Sequence, residues 1–295
     1  MSKFADTAAP ELQQPIRDRS RAIGTILVEC GRLSVENVDA IQRYANENNI
    51  RFGDAGIRLG LLSQDDINLA IGLQFNYPIL SCGGPDGVST EVVAGYLAQS
   101  ELIEPLRALR SQVTLRWVND ANRRVLAITS PDRGEGRSWL AANLATVFAQ
   151  MGERTLLIDA DMRHPRQHEL FNIQNSTGLS ALLTGRAGRE VVSRIHPQLR
   201  LFVLPSGVLP PNPQELLGRQ VFDVVLSSFA DQYDLVILDT PAAEEAADAQ
   251  LLASHAGAAI MVARRHHTRH SHLSIAMQNL VQTGVQVIGT VINEH

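Results

Sequence analysis

Two stretches of the chain hold residues whose types and spacing could do chemistry. The first runs Thr129-Ser130-Pro131-Asp132-Arg133-Gly134-Glu135-Gly136-Arg137-Ser138. Glycines at 134 and 136 let the backbone curl so that successive amides point inward, and a helix starting just beyond adds the positive end of its dipole. Such a loop cradles phosphate. The Ser138 hydroxyl is placed to ligate Mg2+, and the cation at Arg137 to reach the outer phosphates of a nucleotide. The strict form of the motif is not met, because position 137 is Arg rather than Lys and position 131 is Pro rather than Gly. The second stretch is split in two. Leu156-Leu157-Ile158-Asp159-Ala160-Asp161-Met162-Arg163 and Leu235-Val236-Ile237-Leu238-Asp239-Thr240-Pro241 each end an apolar run in carboxylates. Acids at the end of a core strand carry a desolvation cost, so three of them converging on a phosphate loop call for a cation. Mg2+, which prefers oxygen ligands, is the economical choice.

The elements that must position these residues alternate from Arg124 onward. Strands are read at 125–129, 154–159, 199–204, 234–239, 258–263 and 285–292, with helices over 138–151, 221–233, 247–256 and 271–283. This alternation specifies an α/β fold, a doubly wound and mostly parallel sheet with helices on both faces. Ligands of such sheets bind at the carboxyl ends of the strands, where the loop and the acids fall. The apolar row Leu140, Leu144, Val147, Phe148 and Met151 reads as core at helical spacing.

The front of the chain is different. The whole has 295 residues, enough for two domains by the usual prior. Residues 1–20 are polar and read as a mobile lead-in. Beyond them the sequence repeats with an offset of 29: Ile23-Gly24 returns as Phe52-Gly53, Gly31 as Gly60, Leu33-Ser34 as Leu62-Ser63, and Val38 as Ile67. Each copy reads as helix, Gly turn, Ser cap, helix, with Ser34 and Ser63 as N-caps and Asp66 completing a capping box with Ser63. Residues 21–80 are therefore expected to form a small helical domain, residues 81–100 a Gly/Pro-rich linker, and residues 101–295 the α/β domain. In the last, Glu104, Arg107 and Arg110 share one broad helix face.

Composition excludes several functions. A net charge of −5 without a long basic block argues against dedicated nucleic-acid binding. No apolar run approaches the roughly 18 residues of a membrane span, and the first residues lack a signal-peptide core. The two cysteines, Cys30 and Cys82, form no spaced framework, which fits a reducing cytoplasm.

On these motifs, residues 100–295 resemble the catalytic domain of bacterial tyrosine kinases (BY-kinases), P-loop enzymes tied to exopolysaccharide chain-length control. Ser130-Pro131 with Gly134-Glu135-Gly136 is similar to their Walker A, Leu156–Arg163 to their Walker A′ with its D-x-D-x-R signature, and Asp234–Pro241 to their Walker B. Leu204–Leu217 is similar to a further family signature, and Glu104-x-x-Arg107-x-x-Arg110 to the motif by which these kinases assemble into rings. Residues 21–80 resemble the N-terminal domain of type II secretion and type IV pilus ATPases, which in pilus members binds cyclic-di-GMP. Arg51, Gly53, Gly60, Ile67, Ile71, Gln74 and Phe75-Asn76-Tyr77-Pro78 carry that pattern in the second copy, whereas Ala22 and Ala45 stand where the first copy should have Arg and Gln. A protein-docking module is the favoured reading there. The combination resembles EpsG-type kinases of exopolysaccharide clusters.

The resemblance implies ATP and Mg2+ as cofactors and a nucleotide-contacting stretch from Ser130 through Gly134, Glu135, Gly136, Arg137 and Ser138 to Trp139. The indoles of Trp117 and Trp139 themselves read as packing side chains. It implies that Asp159, Asp161 and Asp239 organise Mg2+ with Ser138, and that Asp159, Asp161 and Arg137 serve catalysis, Asp161 by accepting the tyrosine proton. It also implies a homo-oligomeric ring through Glu104, Arg107 and Arg110, and a separate membrane chain-length determinant that holds the chain peripherally at the inner membrane. Two departures stand out. Arg137 has a planar, forked head in place of a lysine ammonium. The C-terminal tyrosine cluster is missing: Tyr44, Tyr77, Tyr96 and Tyr233 are the chain's tyrosines, and it ends Asn293-Glu294-His295. Both favour, as the alternative, a nucleotide-dependent assembly switch of the partition-ATPase kind. The run Arg264-Arg265-His266-His267-Thr268-Arg269-His270-Ser271-His272 reads as an exposed loop near the nucleotide base or the ring interface, since three arginines disfavour a metal.

Overall fold

The structure is a computed structural model that describes residues 22–74, 79–80, 87–97, 101–118, 123–244 and 247–294. The lead-in 1–20, the Phe75–Pro78 motif with Tyr77, and Cys82 lie outside the described residues. The chain divides into two units, Met1–Tyr77 and Pro78–His295.

The first unit contains α1 (Ile23–Glu29), α2 (Val35–Asn48), α3 (Phe52–Arg58) and α4 (Gln64–Gln74). Its repeat is carried by local chemistry. Gly31 and Gly60 follow α1 and α3 with φ of 68° and 69°. The Asn37 N–H donates to Ser34 Oγ at 3.3 Å. In the second copy the Asp66 N–H donates to Ser63 Oγ at 3.2 Å and the Ser63 N–H to Asp66 Oδ2 at 2.9 Å, a closed capping box. Gly24 and Gly53 are equivalent close approaches: a Cβ at 24 would lie 3.1 Å from Val38 Cγ1, and one at 53 would lie 3.3 Å from Ile67 Cδ1. Helices α1 with α4 and α2 with α3 pack around buried Leu27, Ile41, Ala55 and Ala70.

The second unit begins with α5 (Val93–Tyr96) and α6 (Glu104–Val113), the latter continuing as a π-helical turn over Thr114–Val118. There follow β1 (Val125–Thr129), α7 (Arg137–Gln150), β2 (Thr155–Asp159), α8 (Gln167–Leu170), α9 (Leu179–Leu183), β3 (Ser193–Arg194) and β4 (Leu201–Leu204). The remainder is α10 (Pro213–Leu217), α11 (Gln220–Ala230), β5 (Leu235–Asp239), α12 (Asp248–Ala256), β6 (Ala258–Arg264), α13 (His270–Gln282) and β7 (Gln286–Asn293). The strands form one sheet in the order β3-β4-β2-β5-β1-β6-β7. All pairs are parallel except β3 with β4. Strands β2 and β5 are buried along their whole length, which is why they read as unbroken apolar runs rather than alternating ones. Leu140, Leu144, Val147 and Phe148 of α7 cover one face of the sheet, and Phe222, Leu226, Phe229 and Leu252 of α11 and α12 the other.

Two features differ from the sequence expectation. The pair β3–β4 adds a short antiparallel edge that the residue pattern did not reveal. The described part of 81–100 is also not a free linker. Val88, Val92 and Ala94, with Leu80 before them, are buried in the core on the α7 face. The Ala94 N–H donates to Asn143 Oδ1 at 2.9 Å, Asn143 Nδ2 to the Glu91 carbonyl at 2.9 Å, and Gln150 Nε2 to the Ala94 carbonyl at 2.7 Å. Polar side chains of an otherwise apolar α7 thus find their partners on the segment docked against it.

Candidate functional site

The sheet register brings the acids together. Asp159 at the end of β2 sits directly opposite Asp239 at the end of β5, and Asp239 opposite Ile128 of β1. The chain leaving β1 enters the Gly134–Ser138 loop. Gly134 and Gly136 adopt φ of 74° and 96°, left-handed values that a side chain disfavours, and a Cβ at 136 would collide with the Asn293 amide. Helix α7 starts at once, at Arg137.

The loop is braced from all sides. Glu135 is fully buried, its carboxylate taking the Asp132 N–H at 3.0 Å and the Thr268 hydroxyl. Asn293 Nδ2 donates to the Glu135 carbonyl at 3.1 Å, Arg264 Nη1 to the Gly134 carbonyl at 3.3 Å, and His272 Nδ1 lies 3.0 Å from Asp132 Oδ1. The basic run 264–272 is therefore a brace of the phosphate loop, as well as an exposed surface. Arg137 is nearly buried. Its Nε donates to the Thr240 carbonyl at 2.9 Å and its Nη1 to Ser130 Oγ at 2.5 Å and the Asp132 carbonyl at 2.9 Å; Nη2 stands 3.8 Å from Asp161 Oδ2. The guanidinium ties the Walker A loop to the loop after β5 and leans on the second acid of the D-x-D pair.

The acids are arranged differently. Asp159 Oδ2 accepts the Arg166 and Gln167 N–H groups at 3.0 and 2.9 Å, and Asp161 Oδ1 accepts the His164 N–H at 3.0 Å. Asp239 Oδ2 accepts Gln167 Nε2 at 2.7 Å. Asp159 Oδ1 and Asp239 Oδ1 are buried and have no hydrogen-bond partner among the described residues. Burial, reinforced by the facing Asp239 charge, pushes Asp159 well above the usual carboxylate range. Burial likewise raises Asp239 to about 6, against the pull of the Gln167 hydrogen bond, the Arg137 charge and the Ser138 hydroxyl. Two bare carboxylate oxygens on residues that face each other across β2 and β5, with the Ser138 hydroxyl at Asp239, fit a divalent cation. Among the described residues no group of three or more His, Cys, Asp or Glu could hold a metal alone, so water and phosphate oxygens would have to complete its shell.

The remaining expected residues are placed as follows. Trp139 is partly buried and packs against the core on the α7 face, and Trp117 is buried with its Nε1 donating to the Val125 carbonyl at 3.0 Å, so both indoles are packing groups. On α6, Arg107 pairs with Glu104 at 2.6 Å and Arg110 Nη1 reaches the Val147 carbonyl at 3.2 Å. Three residues that the sequence did not single out belong to the site's framework. Gln167 contacts both strand-end acids. Thr240 receives Arg137 and donates its hydroxyl to the Ile128 carbonyl at 2.9 Å. Asp248, at the start of α12 and buried, receives Arg163 Nε at 3.1 Å. Only adjacency to a motif could have hinted at Gln167 and Thr240; Asp248 had no signal. Among the described residues no helix is long and apolar enough to cross a membrane.

The comparisons with known proteins agree on the second unit. A family described as cellulose biosynthesis protein BcsQ matches residues 123–289. The chain is 36% identical over 190 residues to tyrosine-protein kinase YwqD of Bacillus subtilis, covering 64% of this chain and 80% of YwqD. It is 31% identical over 219 residues to tyrosine-protein kinase ptk of Acinetobacter johnsonii, covering 74% of this chain but 28% of ptk. The chain thus spans little more than a quarter of the length of that relative. Among solved structures, the kinase domain of Escherichia coli tyrosine kinase ETK superposes with a TM-score of 0.65 at 32% identity, over 70% of this chain and 80% of that domain.

Proposed function

The chain belongs to the bacterial tyrosine kinases, whose α/β fold it shares with the cellulose biosynthesis protein BcsQ family, and from that premise we propose that it is an ATP- and Mg2+-dependent protein tyrosine kinase. In this reading it acts with a membrane chain-length determinant in exopolysaccharide synthesis and assembles as a ring through Glu104, Arg107 and Arg110. The observation that carries the reading is the buried pair Asp159–Asp239, bare on one oxygen each and set beside the Gly134–Ser138 loop.

Phosphoryl transfer asks for in-line positioning and cancellation of charge on the equatorial oxygens, and little covalent chemistry from the protein. The amides from Gly134 to Ser138 and the start of α7 bind the phosphates. Ser138, Asp159 and Asp239 are the residues that would hold Mg2+, which supplies charge neutralisation at the phosphates when bound. Asp161, hydrogen-bonded at Oδ1 by His164 and close to Arg137, takes the acceptor hydroxyl's proton. Arg137 holds Thr240 through Nε and Ser130 through Nη1, so a phosphate is met through Nη2 or after those contacts are released. Glu135, which braces the loop with its side chain, contributes to phosphate binding through its backbone.

The experiment is incubation with γ-labelled ATP, Mg2+ and the cytoplasmic segment of a chain-length determinant. Phosphotyrosine that disappears in Asp161→Asn supports the kinase. Release of free phosphate alone supports the second reading, a nucleotide-dependent assembly switch, which the engaged Arg137 guanidinium favours. The helical unit is read as a protein-docking module in preference to a cyclic-di-GMP receptor, because only the second copy keeps its arginine, Arg51. Calorimetric binding of cyclic-di-GMP to the full chain at tens of micromolar would reverse that choice.

A further inference from the structure

Gln167, the first residue of α8, is completely buried and belongs to none of the nucleotide motifs. Its side-chain amide gives both hydrogens away, one to Asp239 Oδ2 at 2.7 Å and one to the Ser138 carbonyl at 3.1 Å. Its backbone N–H donates to Asp159 Oδ2 at 2.9 Å. A single residue therefore ties the first turn of α7 to both strand-end acids. Chemistry fixes the orientation of this amide: turned over, Oε1 would face a carboxylate and a carbonyl, two acceptors with no proton to share. In the orientation present, Gln167 Oε1 is buried without a partner among the described residues, as are Asp159 Oδ1 and Asp239 Oδ1. Three bare acceptors, one on Gln167 and one on each acid that it bonds, find no donor among the described residues. A carboxylate can meet a cation directly. An amide oxygen buried beside it is suited to a water molecule polarised by that cation, and Mg2+ keeps several of its waters when bound.

We propose that Gln167 is a positioning residue for the Mg2+–nucleotide complex: its Nε2 holds Asp239 at the cation, and its Oε1 accepts a hydrogen bond from the cation's water shell. The inference rests on the nucleotide reading above. It distinguishes Gln167 from a purely structural buried glutamine by which binding equilibrium depends on it.

The test is titration calorimetry of ADP into the full chain, with and without Mg2+, for the wild type and Gln167→Met. Methionine keeps the length and volume of the side chain and removes its donors and acceptor. The affinity gained on adding Mg2+ is expected to fall about tenfold in the variant, while metal-free ADP affinity stays within about twofold. An undiminished Mg2+ gain, or an equal loss with and without Mg2+, overturns the positioning role alone. A wild-type chain that retains no ADP overturns the nucleotide reading and this role with it. Should Gln167→Met fail to fold by circular dichroism, Gln167→Asn is the substitute. Its amide stops one methylene short of Asp239, and the same selective loss is expected, with an unchanged Mg2+ gain again overturning the role.

Discussion

The phosphate loop and the acid pair lie at the same end of the sheet, and the protein treats their polar groups in opposite ways. In the loop, Glu135, Arg137, Asp132 and the carbonyls of Gly134 and Glu135 all find partners within the chain. In the acid pair, one oxygen of each carboxylate is left bare. The loop is thus held by bonds within the chain itself, which is what an anion cradle needs if phosphate binding is not to be offset by ordering the loop. The acids are stable in the folded chain only with a proton or a cation supplied from outside. Arg137 belongs to both sides: it secures the loop, and in doing so turns its charge toward the protein.

The largest expected effect comes from removing an acid. Asp239→Asn should reduce Mg2+-dependent nucleotide affinity by about a hundredfold or more, while raising the stability of the metal-free chain at pH 7 by roughly 1–3 kcal/mol in urea denaturation. Loss of both affinity and stability would erase the contrast between loop and acids. The pH dependence has the same origin. Asp239 keeps its proton to about pH 6 when folded, against an ordinary value of 3.8. Between those values the folded form binds more protons than the unfolded one, so this residue's contribution makes metal-free stability fall as pH rises from about 4 to about 6. Asp239→Asn should flatten that slope.

Next in size is Glu135→Ala. It strips partners from the Asp132 N–H and the Thr268 hydroxyl around a fully buried position, and about 2–3 kcal/mol of stability should be lost. A loss below about 0.5 kcal/mol would mean that the loop does not depend on its braces. The smallest effect is expected for Arg137→Lys. Giving up the bonds to Ser130 and Thr240 should lower stability by about 1 kcal/mol and raise turnover severalfold, with ADP affinity within about threefold. Unchanged turnover would show that the clamped guanidinium does not limit the reaction.

What the sequence revealed follows the same division. The helical repeat was legible because its information is local: a glycine after each first helix, a capping serine three residues on, and in the second copy an acid that closes the capping box. The glycines of the loop and the acids after apolar strands were legible because motif and strand end adjoin in the chain. The braces were not. Thr268 meets Glu135 across 133 residues, His272 meets Asp132 across 140, and Asn293 meets the Glu135 carbonyl across 158. Only the sheet order β5-β1-β6-β7 brings such partners together. The same holds for Arg137, whose Nε meets the Thr240 carbonyl just past β5, a partner 103 residues away in the chain. The docked segment around Val88 and Val92 was hidden for another reason: a few apolar residues among glycines and prolines have no period to read.

The central claim is that Mg2+ and a nucleotide together complete what the folded chain leaves bare. Titration calorimetry of ADP at pH 6 tests it most directly, with and without Mg2+, in two buffers of different ionisation enthalpy. The expected result is binding that tightens with Mg2+ and releases protons as the buried Asp159–Asp239 pair meets the cation. A chain that retains no ADP in the presence of Mg2+, or binds it with no metal dependence and no proton release, would contradict the account.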